Sequence, residues 1–166
     1  MKLHLVRHAT ASNVAPNDAA RELTSDGREE ARIAGAALAE LDVSASYILS
    51  SPLVRARQTA EIVAETLKLN KDDVALLDEL AINTSTASLL KALRPYALAG
   101  EIILVGHMPS LAEHLAAFIG AANGRGFLLG KASVACVELE HLRAGAGQLR
   151  WLMRQKQLRH LVDRNA

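Results

Sequence analysis

Three short apolar runs recur along the chain, and each is followed by a polar turn and a helical pattern. The runs cover residues 3–6, 45–49 and 101–105. Short apolar runs that alternate with amphipathic helices indicate buried strands in an α/β fold with a mostly parallel sheet. Ligands of such folds bind just outside the carboxyl ends of the strands. The side chains that follow each run are therefore the first candidates for a functional site.

Cationic and imidazole side chains stand at all three of these ends. Arg7 and His8 follow the first run, and His107 follows the third. Arg55 lies near the start of the helix after the second run, where a cation costs about 0.3–1 kcal/mol because that helix end is already positive. A bound phosphate offsets this cost, since it accepts from both the guanidinium and the free N–H groups. We interpret Arg57, two residues further along, as solvated.

These residue types suit nucleophilic phosphoryl transfer. A neutral His8 attacks phosphorus in line, while Arg7 and Arg55 hold the equatorial oxygens. Nearby positive charge is expected to lower the pKa of His8 and keep the imidazole neutral near pH 7. A protonated His107 would add a further donor to the transferred group. The scheme requires no metal and no cofactor.

The composition of the chain is typical of one globular domain spanning residues 1–166, since 50% of the residues are hydrophobic and 22% are charged. A net charge of +1 provides no field for binding nucleic acid or an anionic membrane. No stretch resembles a signal peptide or a membrane span. Cys136 is the only cysteine and lies in a strand-like run, so we expect a buried thiol, no disulfide and a cytoplasmic location.

More local predictions concern the second helix and the C-terminal part. We expect Ser51 to cap a helix over residues 53–63, with Pro52 at its first position. Alternating segments at 132–140 and 148–153 predict a hairpin, and the basic tail after it is interpreted as a solvated surface. The other predicted elements are a loop at 11–22, a helix after 24–25, a polar connection at 70–73, a strand at 74–77, a helix from 84–86 to about 95, a helix over 111–119 and a glycine-rich loop at 120–130.

Four sequence blocks, taken in order, resemble the signatures of the histidine phosphatase superfamily. They are Leu5–Ala9, Leu23–Gly27, Ser51–Thr59 and Val105–His107, within a resemblance that covers about residues 3–119. The small size, the Arg-His-Ala-x-Ala block and an Asp-x-x-Arg-x-Leu-Thr segment resemble the SixA-type phosphohistidine phosphatases more than the mutases. The resemblance implies a three-layer α/β/α fold with a mostly parallel sheet, of the phosphoglycerate mutase-like type.

The resemblance also implies roles for individual residues. His8 would be the residue that is transiently phosphorylated. Arg7, Arg55 and His107 would form the phosphate pocket. Arg21 is expected either to reach the mouth of this pocket, as a phosphate-binding residue, or to anchor its own loop.

The chain departs from larger members of the superfamily in the segment after the third strand. Those members carry an acid there that protonates the leaving group, whereas this short segment offers only Asp78 and Glu79. General acids contribute roughly 10²–10⁴-fold, so substrates with poor leaving groups should react slowly without one. Phosphohistidine has a labile N–P bond and a leaving imidazole that already carries a proton. We therefore expect the substrate and partner to be a histidine-phosphorylated signalling protein.

Two alternatives stay open. In the first, Glu79 acts as the general acid, and the enzyme hydrolyses small phosphoesters or nucleotides. In the second, the scaffold binds phosphate or a partner protein without catalysis. A panel of substrates separates the two enzymatic hypotheses, and an acid-labile phosphoenzyme excludes the non-catalytic one.

Overall fold

A computed structural model describes residues 1–70 and 74–165 of the chain. The strands in these residues are β1 (Lys2–Arg7), β2 (Tyr47–Ser50), β3 (Ala75–Leu76), β4 (Glu101–Gly106), β5 (Val134–Leu139) and β6 (Gly147–Met153). The α-helices are α1 (Ser25–Glu40), α2 (Val54–Thr66), α3 (Thr86–Ala92), α4 (Ser110–Ile119) and α5 (Gln155–Asn165). The strands form one sheet in the order β3-β2-β4-β1-β5-β6, and helices cover both of its faces.

The strand that ends at the Arg-His pair lies between a parallel and an antiparallel neighbour. β1 pairs in parallel with β4 and antiparallel with β5. β2 pairs in parallel with both β3 and β4, and β6 adds a second antiparallel strand. The mostly parallel, three-layer α/β/α fold is therefore confirmed. Because β5 runs against β1, the residues that precede β5 lie beside the carboxyl end of β1.

Side chains of β1 pack into both halves of the core. Leu3 and Leu5 belong to the cluster that α3 and α4 cover, and Val6 belongs to the cluster under α1, α2 and α5. All three side chains are fully buried. Burial of such a side chain contributes about 1.5–3 kcal/mol. The strand is thus fixed from both faces, and this fixes the position of the residues at its end.

The C-terminal tail forms α5, whose basic residues are exposed as predicted and whose opposite face packs on the core. Leu158 is fully buried, and Leu161 and Val162 are partly buried against the same cluster. These positions have the i, i+3, i+4 spacing of an amphipathic helix that packs on a core. The apolar spacing therefore outweighs the run of charges, and α5 packs against α1.

The predicted start of the second helix is wrong. α2 begins at Val54 after an N-cap at Leu53, which makes no side-chain cap. Pro52 precedes the helix. The hydroxyl of Ser51 accepts from the N–H of Leu53 at 3.3 Å, and it also lies 2.8 Å from a ring nitrogen of His107. Ser51 thus joins two segments at the sheet edge, so the chain enters the helix later.

The remaining boundaries agree with the predictions to within a few residues. The third strand is shorter than predicted, and α3 ends at Ala92, before a 3₁₀ turn over Arg94–Tyr96. The hairpin of β5 and β6 is confirmed. Of the predicted connection at 70–73, residues 71–73 lie outside the described residues. Cys136 is buried in β5 as expected, and burial raises the pKa of its thiol to about 11.

None of the helices found in residues 1–70 and 74–165 has both the length and the apolar character needed to cross a bilayer.

Candidate active site

The two predicted histidines lie side by side at the carboxyl edge of the sheet. Arg7 is opposite Gly106 in the parallel pairing of β1 with β4. His8 follows Arg7 and donates its backbone N–H to the carbonyl of Gly106 at 3.0 Å. This register places the His8 and His107 rings next to each other, with centroids 4.9 Å apart and planes inclined by 50°. Residues about one hundred positions apart in sequence thus share one site.

The His8 ring is held in a single tautomer. Its Nδ1 lies 2.8 Å from the carbonyl oxygen of Ala9, and a carbonyl only accepts, so Nδ1 carries the proton. Nε2 therefore presents its lone pair, and the Nζ atom of Lys131 lies 3.3 Å from it. Burial, and then the charge of Lys131, lowers the pKa of His8 to about 3. The sequence predicted this direction from nearby charge, but burial is the larger cause.

His107 is buried more completely than His8, and its ring is also neutral near pH 7. Its Nε2 atom lies 2.8 Å from the Ser51 hydroxyl, while Nδ1 is buried and has no hydrogen-bond partner in the described part of the chain. Burial, followed by the charge of Arg55, lowers the pKa of His107 to about 4. The protonated His107 considered from the sequence is therefore not the form present here near pH 7. A dianionic phosphoryl group beside the ring would favour the protonated form.

Arg55 points into the same edge from the first turn of α2. Its side chain is only 3% exposed, and it donates to Asp18 twice, from Nη1 to the carbonyl at 2.6 Å and from Nη2 to the carboxylate at 2.9 Å. Its Nε is buried without a partner among residues 1–70 and 74–165. Arg57 instead lies on the exposed side of the helix, 3.6 Å from Glu61. The distinction drawn from the sequence between these two arginines matches their positions.

Arg7 is anchored by one nitrogen and leaves another unsatisfied. Its Nη1 donates to the carbonyl of Leu129 at 2.8 Å. The Nε atom is buried and makes no hydrogen bond to any described residue. Buried guanidinium N–H groups without acceptors are costly, about 1–3 kcal/mol or more for a charged group. Arg7 and Arg55 both carry such a group at the sheet edge, and an oxyanion ligand would satisfy it.

Arg21 lies in the loop between β1 and α1, and its hydrogen bonds are all to that loop. Nε donates to the carbonyl of Ser12 at 2.7 Å, and Nη2 donates to the Asn13 side chain at 2.7 Å. Nη1 donates to Asp18 at 3.1 Å, on the carboxylate that also accepts from Arg55. The hydrogen bonds from Arg21 and then Arg55 lower the pKa of the Asp18 carboxyl. Arg21 therefore positions Asp18, and Asp18 in turn accepts both hydrogen bonds from Arg55.

Glu79 lies in a short 3₁₀ turn that follows the edge strand β3. The carbonyl of its neighbour Leu80 packs against Gly106, immediately before His107. The Glu79 side chain is half-buried, and in the described residues it donates or accepts no hydrogen bond at the sheet edge. Asp78 is exposed. The turn is close to the histidine edge, but neither carboxylate is bonded to the imidazoles.

Several residues without a predicted role support the site. Thr59 accepts the backbone N–H of Ala9 at 3.1 Å, and Gln58 accepts the N–H of Leu23 at 2.8 Å, so α2 holds the segments on both sides of the loop after β1. Glu30 on α1 accepts from the N–H and the hydroxyl of Thr10. These residues lie within or beside the sequence blocks, but their contacts depend on how α1 and α2 pack.

Close approach of α1 to the segment after β1 explains a glycine in the second sequence block. A Cβ atom on Gly27 would lie 1.9 Å from the carbonyl oxygen of Thr10. Only glycine permits this backbone contact. The start of α1 is therefore packed directly on the segment that follows His8.

Lys131 is the residue at the site that the sequence analysis missed. It lies between the glycine-rich loop and β5, and two backbone hydrogen bonds join the residues after it to Arg7 and His8. Arg7 donates to the carbonyl of Ser133 at 3.1 Å, and Ala132 donates to the carbonyl of His8 at 3.4 Å. A cleft of about 580 Å³ adjoins Lys131 and extends to the start of α5. Across residues 1–70 and 74–165, no three His, Cys, Asp or Glu side chains converge as a metal-binding group.

Comparison with known proteins defines the class of protein. The model of the histidine phosphatase superfamily (branch 1) matches residues 3–89. The structure of the protein histidine phosphatase SixA complexed with tungstate superposes with a TM-score of 0.86 and 25% identity, covering 95% of this chain and 99% of that one. The fold is that of a histidine phosphatase. The chain belongs to the histidine phosphatase superfamily.

Two similar sequences differ in how much of their length the match covers. An uncharacterised protein of Picosynechococcus sp. is 33% identical over 153 residues, which are 90% of this chain and 88% of that protein. The mitochondrial serine/threonine-protein phosphatase Pgam5 of Drosophila ananassae is 37% identical over 70 residues. This second match covers 42% of this chain and 24% of Pgam5, so it concerns only a minor part of that protein.

Proposed function

We propose that the chain is a phosphohistidine phosphatase that forms a covalent phosphohistidine on His8. The main support for this proposal is the tautomer and the lowered pKa of the His8 ring. Its Nδ1 proton is held by the Ala9 carbonyl, and burial lowers its pKa to about 3, so Nε2 is an uncharged nucleophile at physiological pH. A neutral imidazole in a cationic edge suits attack on a phosphoryl anion.

In the first step, the lone pair of His8 Nε2 forms a bond to phosphorus as the bond from phosphorus to the substrate breaks. The leaving group departs with the electron pair of the broken bond. Arg7 and Arg55 hold the equatorial oxygens through N–H groups that have no partner within the described residues. His107 takes up a proton as the dianion binds and donates to a phosphoryl oxygen. In the second step, water attacks phosphorus and the bond from phosphorus to Nε2 breaks, with its electron pair returning to the ring. Inorganic phosphate leaves with the oxygen of water, and the surplus proton passes to solvent.

The leaving group favours a phosphorylated histidine as substrate. Within residues 1–70 and 74–165, the ring nitrogens of His8 and His107 are bonded to a carbonyl, an ammonium and a hydroxyl, and to no carboxylate. A phosphoester needs an acid to protonate its departing oxygen, whereas a phosphorylated imidazole leaves with a proton that it already carries. The structurally similar SixA protein is a protein histidine phosphatase and holds tungstate, a tetrahedral oxyanion. We therefore propose a histidine-phosphorylated protein as partner.

A second candidate is hydrolysis of a phosphoester with Glu79 as the general acid. Two observations favour it. The 3₁₀ turn that carries Glu79 packs against the residue before His107. The partial relative Pgam5 is a serine/threonine-protein phosphatase, so a phosphorylated hydroxyl is a possible substrate on this scaffold.

One experiment separates the two candidates. Purified protein is offered a histidine-phosphorylated protein domain and a panel of phosphoserine peptides, sugar phosphates and nucleotides, without added metal, and the kcat/KM values are compared. We expect fast release of phosphate from phosphohistidine, slow ester hydrolysis, and an acid-labile phosphate on His8 after rapid quenching. Glu79→Gln should leave phosphohistidine turnover unchanged. If esters are hydrolysed with a kcat/KM comparable to that on phosphohistidine, and Glu79→Gln lowers the ester rate, the second candidate is correct. If no phosphoenzyme forms with any substrate, both candidates are rejected.

A further inference from the structure

We propose that Lys131 is a further catalytic residue: it holds the lone pair of His8 in the free enzyme and moves onto a phosphoryl oxygen when the His8–phosphorus bond forms. The proposal rests on the proposed function, because it concerns the same nucleophile. Its starting point is the contact of 3.3 Å between Lys131 Nζ and His8 Nε2.

The direction of this hydrogen bond follows from the tautomer of His8. Nδ1 already carries the ring proton, since it donates to the carbonyl of Ala9. An ammonium donates and never accepts, so Lys131 must be the donor to Nε2. The orbital that would bond to phosphorus is therefore occupied by a proton donor in the free protein. Phosphoryl transfer requires Lys131 to release Nε2.

The position of Lys131 is set by the backbone and not by a carboxylate. The hydrogen bonds from Arg7 to Ser133 and from Ala132 to His8 fix the two residues that follow Lys131 against the end of β1. In the part of the chain that the structure describes, the ammonium forms no ion pair within 4 Å. A lysine without an acidic partner at a cationic site gains most from a bound anion.

The charges around Lys131 explain why the ammonium would follow the phosphoryl group. Burial, and then the guanidiniums of Arg7, Arg21 and Arg55, lowers the pKa of Lys131 to about 8. Glu30 opposes this shift more weakly. When phosphorus occupies the position in front of Nε2, its oxygens are the nearest acceptors for the displaced ammonium. The lysine ammonium is a compact charge on a flexible side chain, so it can move onto these oxygens. The planar guanidinium of an arginine is more rigid and would follow them less readily.

The test compares Lys131→Met and Lys131→Arg with Lys91→Met, which removes an exposed lysine of α3. In the free protein, diethyl pyrocarbonate acylates unprotonated imidazole nitrogens, and mass spectrometry of the His8 peptide gives the rate. We expect Lys131→Met to react several-fold faster at His8 than wild type, because Nε2 is no longer occupied. Isothermal titration with inorganic phosphate should show binding weakened by about 10-fold or more, as for loss of a charge-assisted hydrogen bond.

Catalysis provides the second set of measurements. We expect Lys131→Met to lower kcat/KM on the phosphohistidine substrate by about 10²-fold, the usual loss for one preorganised donor. In wild type, kcat/KM should fall above about pH 8 as Lys131 loses its proton, and this fall should be absent in both Lys131→Met and Lys131→Arg. Lys131→Arg, which keeps the charge, should recover part of the activity, and Lys91→Met should behave as wild type.

Each result decides the proposal in one direction. A wild-type rate of His8 acylation in Lys131→Met overturns the resting contact, and an unchanged kcat/KM overturns the catalytic role. If thermal melting shows that Lys131→Met does not fold, the pH dependence of kcat/KM in Lys131→Arg is the test. A fall above about pH 8 that persists in this variant overturns the proposal. If wild type releases no phosphate from any substrate, the proposed function fails, and the acylation and phosphate-binding measurements still decide whether Lys131 shields Nε2 and binds the oxyanion.

Discussion

Two buried histidines, one in β1 and one immediately after it, have opposite surroundings at the two ends of the sheet. At the amino end of β1, His4 lies 3.1 Å from the Glu101 carboxylate, which also accepts from Lys2 at 3.0 Å. At the carboxyl end, His8 has a carbonyl and an ammonium as partners. Both rings are 5% exposed or less, and burial is the main reason why the pKa of each is lowered. Burial alone therefore does not distinguish the proposed nucleophile from a structural histidine.

The difference lies in which charges are left for a ligand. Burial raises the pKa of Glu101, but hydrogen bonds from Lys2 and His4 outweigh it, so the charges at the amino end are already paired. At the carboxyl end, buried N–H groups of Arg7 and Arg55 have no partner in residues 1–70 and 74–165. One end is neutralised by its own residues, and the other is complementary to an anion.

The largest effect is expected from matched substitutions of the two histidines. His8→Gln should lower phosphatase turnover by on the order of 10⁶-fold, as removal of a covalent nucleophile does, and should abolish the phosphoenzyme. Inorganic phosphate should still bind, because the guanidiniums remain. His4→Gln keeps a donor for Glu101 and should leave kcat/KM unchanged. Comparable turnover in the two variants, measured after both are shown to be folded, would contradict the roles assigned to the two ends.

The next largest effect concerns two arginines two residues apart on α2. Arg55→Ala should lower kcat by about 10²–10³-fold and weaken phosphate binding, because a preorganised donor is lost. Arg57→Ala, which removes an exposed guanidinium beside Glu61, should change neither. Steady-state kinetics and phosphate titration of both variants provide the measurement. A loss of similar size for Arg57→Ala would mean that general positive charge, and not position, attracts the substrate.

A third buried histidine, outside both ends, tests the energetic cost of burial alone. His114 on α4 has Thr86 as its nearer hydrogen-bond partner, and burial lowers its pKa to about 4. A lowered pKa stabilises the fold above the unfolded value near 6.5, and this stabilisation is lost as the pH falls towards 4. Wild type should therefore become less stable between pH 7 and pH 5.

His114→Gln should reduce that loss of stability by about 2 kcal/mol, the share of one histidine whose pKa is about 4 when folded and 6.5 when unfolded. Urea unfolding at the two pH values, with activity as a control, provides the measurement. An equal loss in wild type and variant would show that His114 is not a source of the acid sensitivity.

The smallest effect is expected for Arg21. Its three hydrogen bonds stay within the loop that carries Asp18, so Arg21→Ala should affect the phosphate only through the position of Arg55. Partly exposed ion pairs contribute about 0.2–1 kcal/mol, which corresponds to less than about a fivefold change in kcat/KM. A loss close to that of Arg55→Ala would place Arg21 in direct contact with the substrate.

Sequence patterns predicted the main features of this fold because those features depend on local periodicity. The three apolar runs, the helices after them and the final hairpin all have such a signal. In the tail, the charges correctly predict the exposed surface, but the packed face of α5 is not predicted because the charges are more conspicuous than the apolar stripe through Leu158. The helix start at Ser51 was misjudged because the serine hydroxyl has a distant partner, His107.

At the site, too, the sequence predicts those residues whose position depends on a local pattern. Arg7, His8, Arg55 and His107 were chosen because each follows an apolar run, and parallel strands bring such positions to one edge. Lys131 precedes its strand. It reaches the same edge only because β5 runs antiparallel to β1. The composition of the two strands does not indicate that they pair in this direction. The contacts of Arg21 and Glu79 depend on loop conformations, which local patterns do not determine.

The central position of β1 in the sheet affects which parts of the protein open locally. The amide of Arg7 is bonded towards β5 and that of His8 towards β4, so neither exchanges with deuterated solvent unless the sheet itself opens. The loop that carries Asp18 and Arg21 lies outside the sheet, beyond the isolated bridge between Ala11 and Leu23. We therefore expect the amides of Arg7 and His8 to exchange more slowly than those of the loop whose Asp18 accepts from Arg55. Affinity for the anion and integrity of the reacting centre should therefore respond separately to temperature.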